Sequence, residues 1–204
     1  MDWTANNPFA THYTQTGRRF IPPEDTADVA SLTQCFLRKR RVGQIVGPHG
    51  CGKTSLAYAM ARSMFASFGN IQFAVIRRQS WRGRTVEILS NLQGNGGVDL
   101  RVVDGIETLS HLHRWCLVKS CLRRNGALLL TTHRKILTLP VVTTLNPSLG
   151  QFEKIVKALN EPPTMRVPAE KIQEAFDRYD GDYREGLMYL YDFYQHQRVS
   201  SPLC

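Results

Sequence analysis

One eight-residue segment combines glycines, a lysine and a hydroxyl at a spacing suited to binding phosphate. Gly47-Pro48-His49-Gly50-Cys51-Gly52-Lys53-Thr54 fits the pattern G-x-x-x-x-G-K-[ST] at every position. Glycines let the backbone wrap closely around phosphate oxygens, so that main-chain N–H groups can converge on them. Lys53 adds a positive charge for the outer phosphates, where it also acts in catalysis, and the Thr54 hydroxyl can ligate Mg²⁺. The pattern predicts a nucleotide-binding loop made of these eight residues and Ser55.

Two carboxylates follow the apolar segment 100–103. Asp104 comes directly after it, and Glu107 stands three residues further on. In a parallel sheet with a phosphate-binding loop, an aspartate at such a strand end reaches the Mg²⁺, usually through a water. We therefore expect Thr54 and Asp104 to hold the metal. Glu107 is close enough in sequence to polarise an attacking water, and the alternative is that it caps a helix beginning near Leu109.

A second apolar segment, 127–130, ends in the polar residues Thr131, Thr132 and His133. Ligands of open α/β sheets collect at the carboxyl ends of the strands. A hydroxyl or an imidazole at this edge could sense the outermost phosphate, and we expect Thr132 or His133 to do so. The alternative is that the hydroxyls only cap the strand and that the imidazole is exposed.

Hydrophobic periodicity predicts the elements that must position these residues. Strands that alternate with helices, and that are apolar almost throughout, indicate a parallel sheet covered on both faces, which is an α/β fold. Beyond residue 146 only helices are predicted. The predicted helices are 25–41, 53–68, 81–92, 109–124, 149–159, 169–179 and 183–195, and the predicted strands are 42–46, 71–76, 100–103, 127–131 and 139–144.

The composition fits a folded core and excludes several classes of protein. The 204 residues are 42% hydrophobic and 21% charged, which is enough apolar mass to exclude disorder along the whole chain. The apolar stretches are far shorter than the roughly 18 to 20 residues of a membrane span, and the N-terminus lacks a secretory pattern. Five cysteines without a C-x-x-C pair argue against a disulfide framework. We expect a cytoplasmic protein without membrane contact.

The charge balance indicates a preference for anionic partners. Lys and Arg number 26 against 17 Asp and Glu, which gives a net charge of +9 and attracts nucleotides, nucleic acid or anionic lipid. Trp81 stands among Arg77, Arg78, Arg82 and Arg84, a combination that could stack on and neutralise single-stranded nucleic acid. The alternative is that this segment is a loop near the ligand-binding edge of the sheet.

With these motifs the chain resembles the additional-strand class of P-loop ATPases, and within it the AAA+ and STAND ATPases. The strand predicted over 71–76 matches the extra strand of that class, and Thr131-Thr132 matches the polar residue called sensor 1. Gly181-Asp182-Tyr183-Arg184-Glu185 resembles the sensor 2 helix of a small α-helical lid, with Arg184 at the nucleotide-binding arginine position. The predicted organisation is an extended arm (1–27), a P-loop ATPase core (28–146), a helical lid (147–198) and a tail (199–204).

The resemblance implies ATP and Mg²⁺ as cofactors and a slow ATPase in which the nucleotide moves the lid and so acts on a partner. That partner is a protein or a second copy of the chain. The sequence departs from the family pattern at Gly105, where most AAA+ proteins carry a glutamate. This departure favours one alternative, a switch that holds ATP without hydrolysing it and that acts on nucleic acid. The other alternative is a small-molecule or nucleotide kinase.

Overall fold

A computed structural model describes residues 9, 20–23, 26–39, 41–76, 99–123, 126–136, 139–160 and 167–200, with side chains up to residue 196 in the last range. The helix predicted over 81–92 lies outside these residues, as do Trp81 and the arginines around it. Most of the predicted N-terminal arm also lies outside them.

The described helices and strands follow the order that the periodicity predicts. Their bounds shift by a few residues, because capping groups fix where helices begin. Asp28, for example, accepts a hydrogen bond from Ser31 N at 2.6 Å, so the first helix begins at Val29. In chain order the elements are α1 (Val29–Arg38), β1 (Val42–Val46), α2 (Lys53–Ser63), β2 (Ile71–Val75), β3 (Leu100–Asp104), a 3₁₀ turn (Ile106–Thr108), α3 (His111–Arg123), β4 (Ala127–Thr132), β5 (Val141–Thr144), α4 (Leu149–Leu159), α5 (Ala169–Arg178) and α6 (Tyr183–Ser200).

The five described strands form one parallel sheet in the order β2-β3-β4-β1-β5. This confirms the α/β fold with a parallel sheet between helices. It also corrects one assignment. We expected the extra strand of the class at 71–76, but β4 is the strand that separates β1 from β3, and β2 lies at one end of the described sheet. The phosphate-binding loop, Asp104 and Thr131 consequently meet at the carboxyl edge of three adjacent strands.

Alternating side chains of the strands fill a hydrophobic layer on each face of the sheet. Val102 and Leu129 pack on the side of α1 and α2, together with residues such as Phe36, Leu56 and Met60. Their strand neighbours Val103, Leu128 and Leu130 pack on the opposite side with Leu117 and Cys121 of α3. With both faces covered, the sheet has a rigid carboxyl edge on which a site can be built.

The last three helices enclose a third hydrophobic cluster. Phe152 of α4 stacks on Tyr183 of α6 with ring centroids 5.6 Å apart, and Leu190 and Tyr194 are buried beside them. Phe9, from the predicted arm, is 1% exposed and belongs to the same cluster. No helix within the described ranges has both the length and the apolar character needed to cross a bilayer.

Candidate functional site

The phosphate-binding loop joins β1 to α2, the strand-to-helix setting that the pattern requires. Gly50 and Gly52 have φ of +64° and +91°, a region where other residues are strained. At Gly47 an added Cβ would lie 2.6 Å from the carbonyl oxygen of Leu145, so the loop packs directly on the backbone. These glycines fix a loop that leads directly into the N-terminal, positive end of α2, the setting in which main-chain N–H groups bind phosphate.

Lys53 begins α2 and is only 7% exposed. Its Nζ donates a hydrogen bond to the carbonyl oxygen of Pro48 and lies 3.4 Å from Nδ1 of His133. Burial lowers the pKa of Lys53, and the neighbouring thiol and carboxylates act in the opposite direction. A phosphate bound in the loop would place negative charge next to this buried ammonium and would stabilise its charged form.

Thr54, Asp104 and Thr131 form one hydrogen-bonded group. Thr54 Oγ1 donates to Asp104 Oδ2 at 2.9 Å, and Thr131 Oγ1 donates to Asp104 Oδ1. The second contact follows from the sheet register, which pairs Asp104 directly with Thr131. Both hydroxyls give their protons to the carboxylate, so the Thr54 oxygen keeps lone pairs for a cation.

This oxygen-only donor set fits Mg²⁺, which prefers oxygen ligands and keeps several waters or substrate oxygens in its coordination sphere. Within the described part of the chain, no cluster of three or more His, Cys, Asp or Glu residues could enclose a metal by itself. Thr54 and Asp104 would therefore hold the ion together with phosphate oxygens.

Glu107 reaches the site from a 3₁₀ turn. Gly105 explains why no glutamate directly follows Asp104. Gly105 has φ of +79°, and an added Cβ would lie 2.4 Å from the carbonyl oxygen of Ile76. A glutamate cannot occupy position 105 in this conformation, so the backbone turns there and the next acidic side chain is Glu107. Glu107 Oε1 lies 2.7 Å from His133 Nε2. Among the described residues the Glu107 side chain caps neither the 3₁₀ turn nor α3, because Oε1 faces His133 and Oε2 has no hydrogen-bond partner.

His133 connects Glu107 to Lys53. An ammonium can only donate, so Nδ1 faces Lys53 as an acceptor and Nε2–H donates to Glu107, which defines a neutral imidazole. Burial and the Lys53 ammonium lower the pKa of His133, and Glu107 opposes them only in part. The ring also packs on His49 with centroids 3.6 Å apart. The structure thus places His133 beside Lys53 and Glu107, whereas its response to the outermost phosphate stays a prediction.

Thr132, the other alternative, is not brought into the site. Its side chain is fully buried, and Oγ1 lies 3.4 Å from Gln44 Oε1. Successive strand residues point to opposite faces, so when Thr131 faces Asp104, Thr132 faces away. Gln44 was not identified from the sequence. Its amide also bonds Ile136 N, Ile136 O and Leu139 O at 2.9–3.0 Å, and so fixes the segment that follows His133.

The start of α6 contacts the phosphate-binding loop through Asp182. An added Cβ at Gly50 would lie 1.8 Å from Asp182 Oδ1, which shows how closely the carboxylate approaches the loop. The same oxygen accepts hydrogen bonds from Arg184 N at 2.9 Å and Glu185 N at 3.2 Å, and so caps α6. A Gly-Asp pair before a helix is a recognisable capping signal, but its position over the loop is visible only in three dimensions.

Arg184 lies on the first turn of α6, with an exposed side chain. Tyr183 anchors this turn, because its hydroxyl accepts a hydrogen bond from Ser148 N at 2.8 Å and donates to Ser148 O at 3.3 Å. Burial raises the pKa of Tyr183, so its hydroxyl stays protonated and can donate to the Ser148 carbonyl oxygen. The turn that carries Arg184 is therefore fixed against the beginning of α4.

The remaining loop residues have distinct environments. His49 and Pro48 are exposed at the tip, whereas Ser55 is half-buried in α2. Cys51 is 6% exposed, and burial raises the pKa of its thiol. Although the helix end would favour a thiolate, desolvation outweighs it here, so Cys51 is a neutral packing residue.

Comparison with known proteins agrees with this geometry. The family described as "ATPase family associated with various cellular activities (AAA)" matches residues 44–98, which include the phosphate-binding loop. A search of curated protein sequences gave no match.

Three solved structures share the fold. Domain III of the Thermotoga maritima replication initiation protein DnaA superposes with a TM-score of 0.62 at 12% identity, over 91% of this chain and 89% of that one. AMPPCP-bound DnaA from Aquifex aeolicus superposes with a TM-score of 0.59 at 16% identity, over 87% of this chain and 64% of that one. A replication initiator DnaA bound to AMPPCP and single-stranded DNA superposes with a TM-score of 0.58 at 14% identity, over 92% of this chain and 68% of that one. The chain therefore has the α/β fold of P-loop NTPases and resembles AAA+ ATPases, as its motifs predict.

Proposed function

We propose that the chain is a cytoplasmic protein that binds ATP with Mg²⁺ and hydrolyses it slowly, coupling the nucleotide to the position of the helical lid and so to a partner. The observation that carries this proposal is the convergence of Lys53, the Thr54–Asp104 pair and the His133–Glu107 pair on one loop at the carboxyl edge of the sheet. These are the charges and acceptors that phosphoryl transfer to water requires.

Phosphate binding is assigned to the loop 47–54 with Ser55. Its backbone N–H groups and the Lys53 ammonium neutralise the phosphates, and Lys53 exchanges the Pro48 carbonyl for a stronger, charged acceptor. When bound, Mg²⁺ would neutralise charge on the outer phosphates.

Glu107 is assigned as the group that accepts a proton from the attacking water. One of its oxygens is held by His133, and the other, Oε2, is buried without a hydrogen-bond partner among the described residues. An acceptor in that state gains from a water proton. Since His133 also faces Lys53, it is the better candidate than Thr132 to respond to the outermost phosphate.

Arg184 is assigned to nucleotide binding, and Asp182 is the residue of α6 that contacts the loop at Gly50. A guanidinium can contact the γ-phosphate with a directional fork, whereas a carboxylate beside the same phosphates is repelled. Nucleotide binding in the loop would thus favour an Arg184 contact over the Asp182 contact. This is a means of turning nucleotide binding into lid movement, because a ligand shifts such an equilibrium only through differential contacts.

A switch that holds ATP without turnover is the second candidate, because Gly105 displaces the acid and Glu107 is already engaged by His133. Nucleic acid would then be the natural partner, given the charge of +9 and the single-stranded DNA bound by one structural neighbour.

The test combines calorimetry of ATP binding with a phosphate-release assay. Lys53→Ala should remove a charge-assisted contact of about 1.5–3 kcal/mol and weaken ATP about ten- to a hundredfold. Lys119→Ala, which removes an exposed lysine far along the chain in α3, is the charge-matched control. Unchanged ATP affinity in Lys53→Ala would overturn the site. Phosphate release is measured with and without single-stranded DNA, RNA or a phosphate acceptor. The comparison distinguishes an ATPase from a switch that binds ATP without turnover and from a kinase.

A further inference from the structure

One face of α3 carries large apolar side chains in contact with solvent. Leu112 is 66% exposed, Trp115 49% and Leu122 47%. They stand at positions i, i+3 and i+10 of one helix, and the exposed Lys119 and Arg123 lie between and beside them. At 100° per residue these five side chains occupy one side of the helix, which we call the outer face of α3.

The outer face is held rigidly by the opposite side of the same helix. Leu117, Val118 and Cys121 are buried in the hydrophobic layer under the sheet. Lys119 Nζ lies 4.4 Å from the centre of the Trp115 ring, a cation–π contact that orients the indole. Single exposed apolar residues are ordinary on a protein surface, but a row of them on one fixed helix face marks an interaction surface.

The basic residues around this face indicate the chemistry of the partner that it would bind. The sequence contains no Asp or Glu between Glu107 and Glu153, whereas it contains Arg and Lys at several positions of that interval, including Lys119 and Arg123. An apolar stripe flanked by cations is complementary to an apolar stripe flanked by carboxylates. A partner helix can present such a stripe at helical spacing, as Leu112, Trp115 and Leu122 do at i, i+3 and i+10 of α3.

We propose that the outer face of α3 binds an acidic amphipathic helix of a partner protein. This goes beyond the proposed ATPase and does not depend on it. Nucleic acid fits the surface less well, because phosphates would pair with Lys119 and Arg123 but leave Leu112 and Leu122 without an apolar partner. A symmetric pair of chains joined through this face would bring its own cations together.

The experiment uses a displayed library of helical peptides with apolar residues at helical spacing and all other positions randomised among acidic, basic and neutral residues. The library is selected on the full wild-type chain, and each recovered peptide is then titrated against variants. We expect recovered sequences to be enriched in Asp and Glu. Trp115→Ala should weaken their binding at least about 30-fold, as for a central aromatic anchor. Phe65→Ala, which removes a 67% exposed apolar side chain elsewhere, should leave it unchanged.

Charge reversal tests the selectivity directly. The double variant Lys119→Glu, Arg123→Glu should recover basic peptides in the same selection, and circular dichroism with urea unfolding checks that the variants fold. Recovery of peptides without acidic enrichment, or equal binding to Trp115→Ala, would overturn the proposal. So would a wild-type dimer, or binding of single-stranded DNA, that Trp115→Ala abolishes, because the face would then serve a second copy or a nucleic acid.

Discussion

Replacing Gly50 by alanine should push the start of α6 away from the phosphate-binding loop. The added Cβ would lie 1.8 Å from Asp182 Oδ1 and 2.3 Å from its Cγ, so the aspartate must move. Movement breaks the cap of α6, in which Asp182 accepts from Arg184 N and Glu185 N, at a cost of about 0.5–2 kcal/mol. The left-handed backbone at φ of +64° adds about 1–2 kcal/mol for alanine. We expect Gly50→Ala to lower the free energy of unfolding by about 1.5–4 kcal/mol.

The two contributions can be separated, because only one of them involves Asp182. In an Asp182→Gly background the alanine at position 50 meets no carboxylate, and only the backbone strain remains. Urea unfolding of the wild type, both single variants and the double variant gives the coupling free energy, which we expect to be about 0.5–2 kcal/mol.

Additivity of the two substitutions to within about 0.5 kcal/mol would refute the contact between Asp182 and Gly50. Gly150→Ala in α4 is the matched control, since an added Cβ there meets nothing within 4 Å and its φ is not positive. That substitution should leave stability unchanged or raise it by up to about 1 kcal/mol.

Three further predictions concern the nucleotide and the pH. Glu107→Gln should keep ATP affinity but slow phosphate release by about two to four orders of magnitude, and equal turnover would assign the proton acceptor elsewhere. Arg184→Ala should shrink the preference for ATP over ADP in a fluorescence titration, with Arg184→Lys restoring part of it, whereas an identical ratio would make Arg184 an ordinary surface residue. Burial, Lys53 and His49 lower the pKa of His133 below its usual 6.5, although Glu107 raises it in part. The unfolded chain therefore binds more protons just below pH 6.5, and unfolding free energy should fall as the pH drops through that window. His133→Gln should reduce the dependence of the unfolding free energy on pH, measured by urea denaturation at a series of pH values. An unchanged dependence would contradict the neutral imidazole.

The local part of the site could be predicted from the sequence, because its determinants are consecutive residues. The phosphate-binding loop needs only its own glycines, Lys53 and a following helix, so the pattern predicts it completely. Asp104 follows from the end of an apolar strand. The strand order could not be predicted in the same way, since it depends on which strands pair across long connections, and the extra strand was assigned to the wrong segment for that reason.

The orientation of Thr132 in β4 and the position of Asp182 over the loop could not be predicted, for a common physical reason. Whether Thr131 or Thr132 faces the loop depends on the phase of side-chain alternation in β4, which the register with Asp104 sets. Asp182 reaches Gly50 only because Tyr183 is anchored to Ser148 from a different helix. Both are relations between segments far apart in sequence, and no local pattern encodes them.

Gln44 has a consequence for the dynamics of the sheet edge. Its amide bonds the backbone of Ile136 in both directions, although Ile136 lies in an irregular segment beyond the end of β4. Because Gln44 is fully buried in β1, the N–H of Ile136 can be released only when the centre of the sheet opens. In hydrogen exchange this loop amide should therefore resemble those of the core strands and not those of other loops. The segment that holds His133 would then persist as long as the sheet itself.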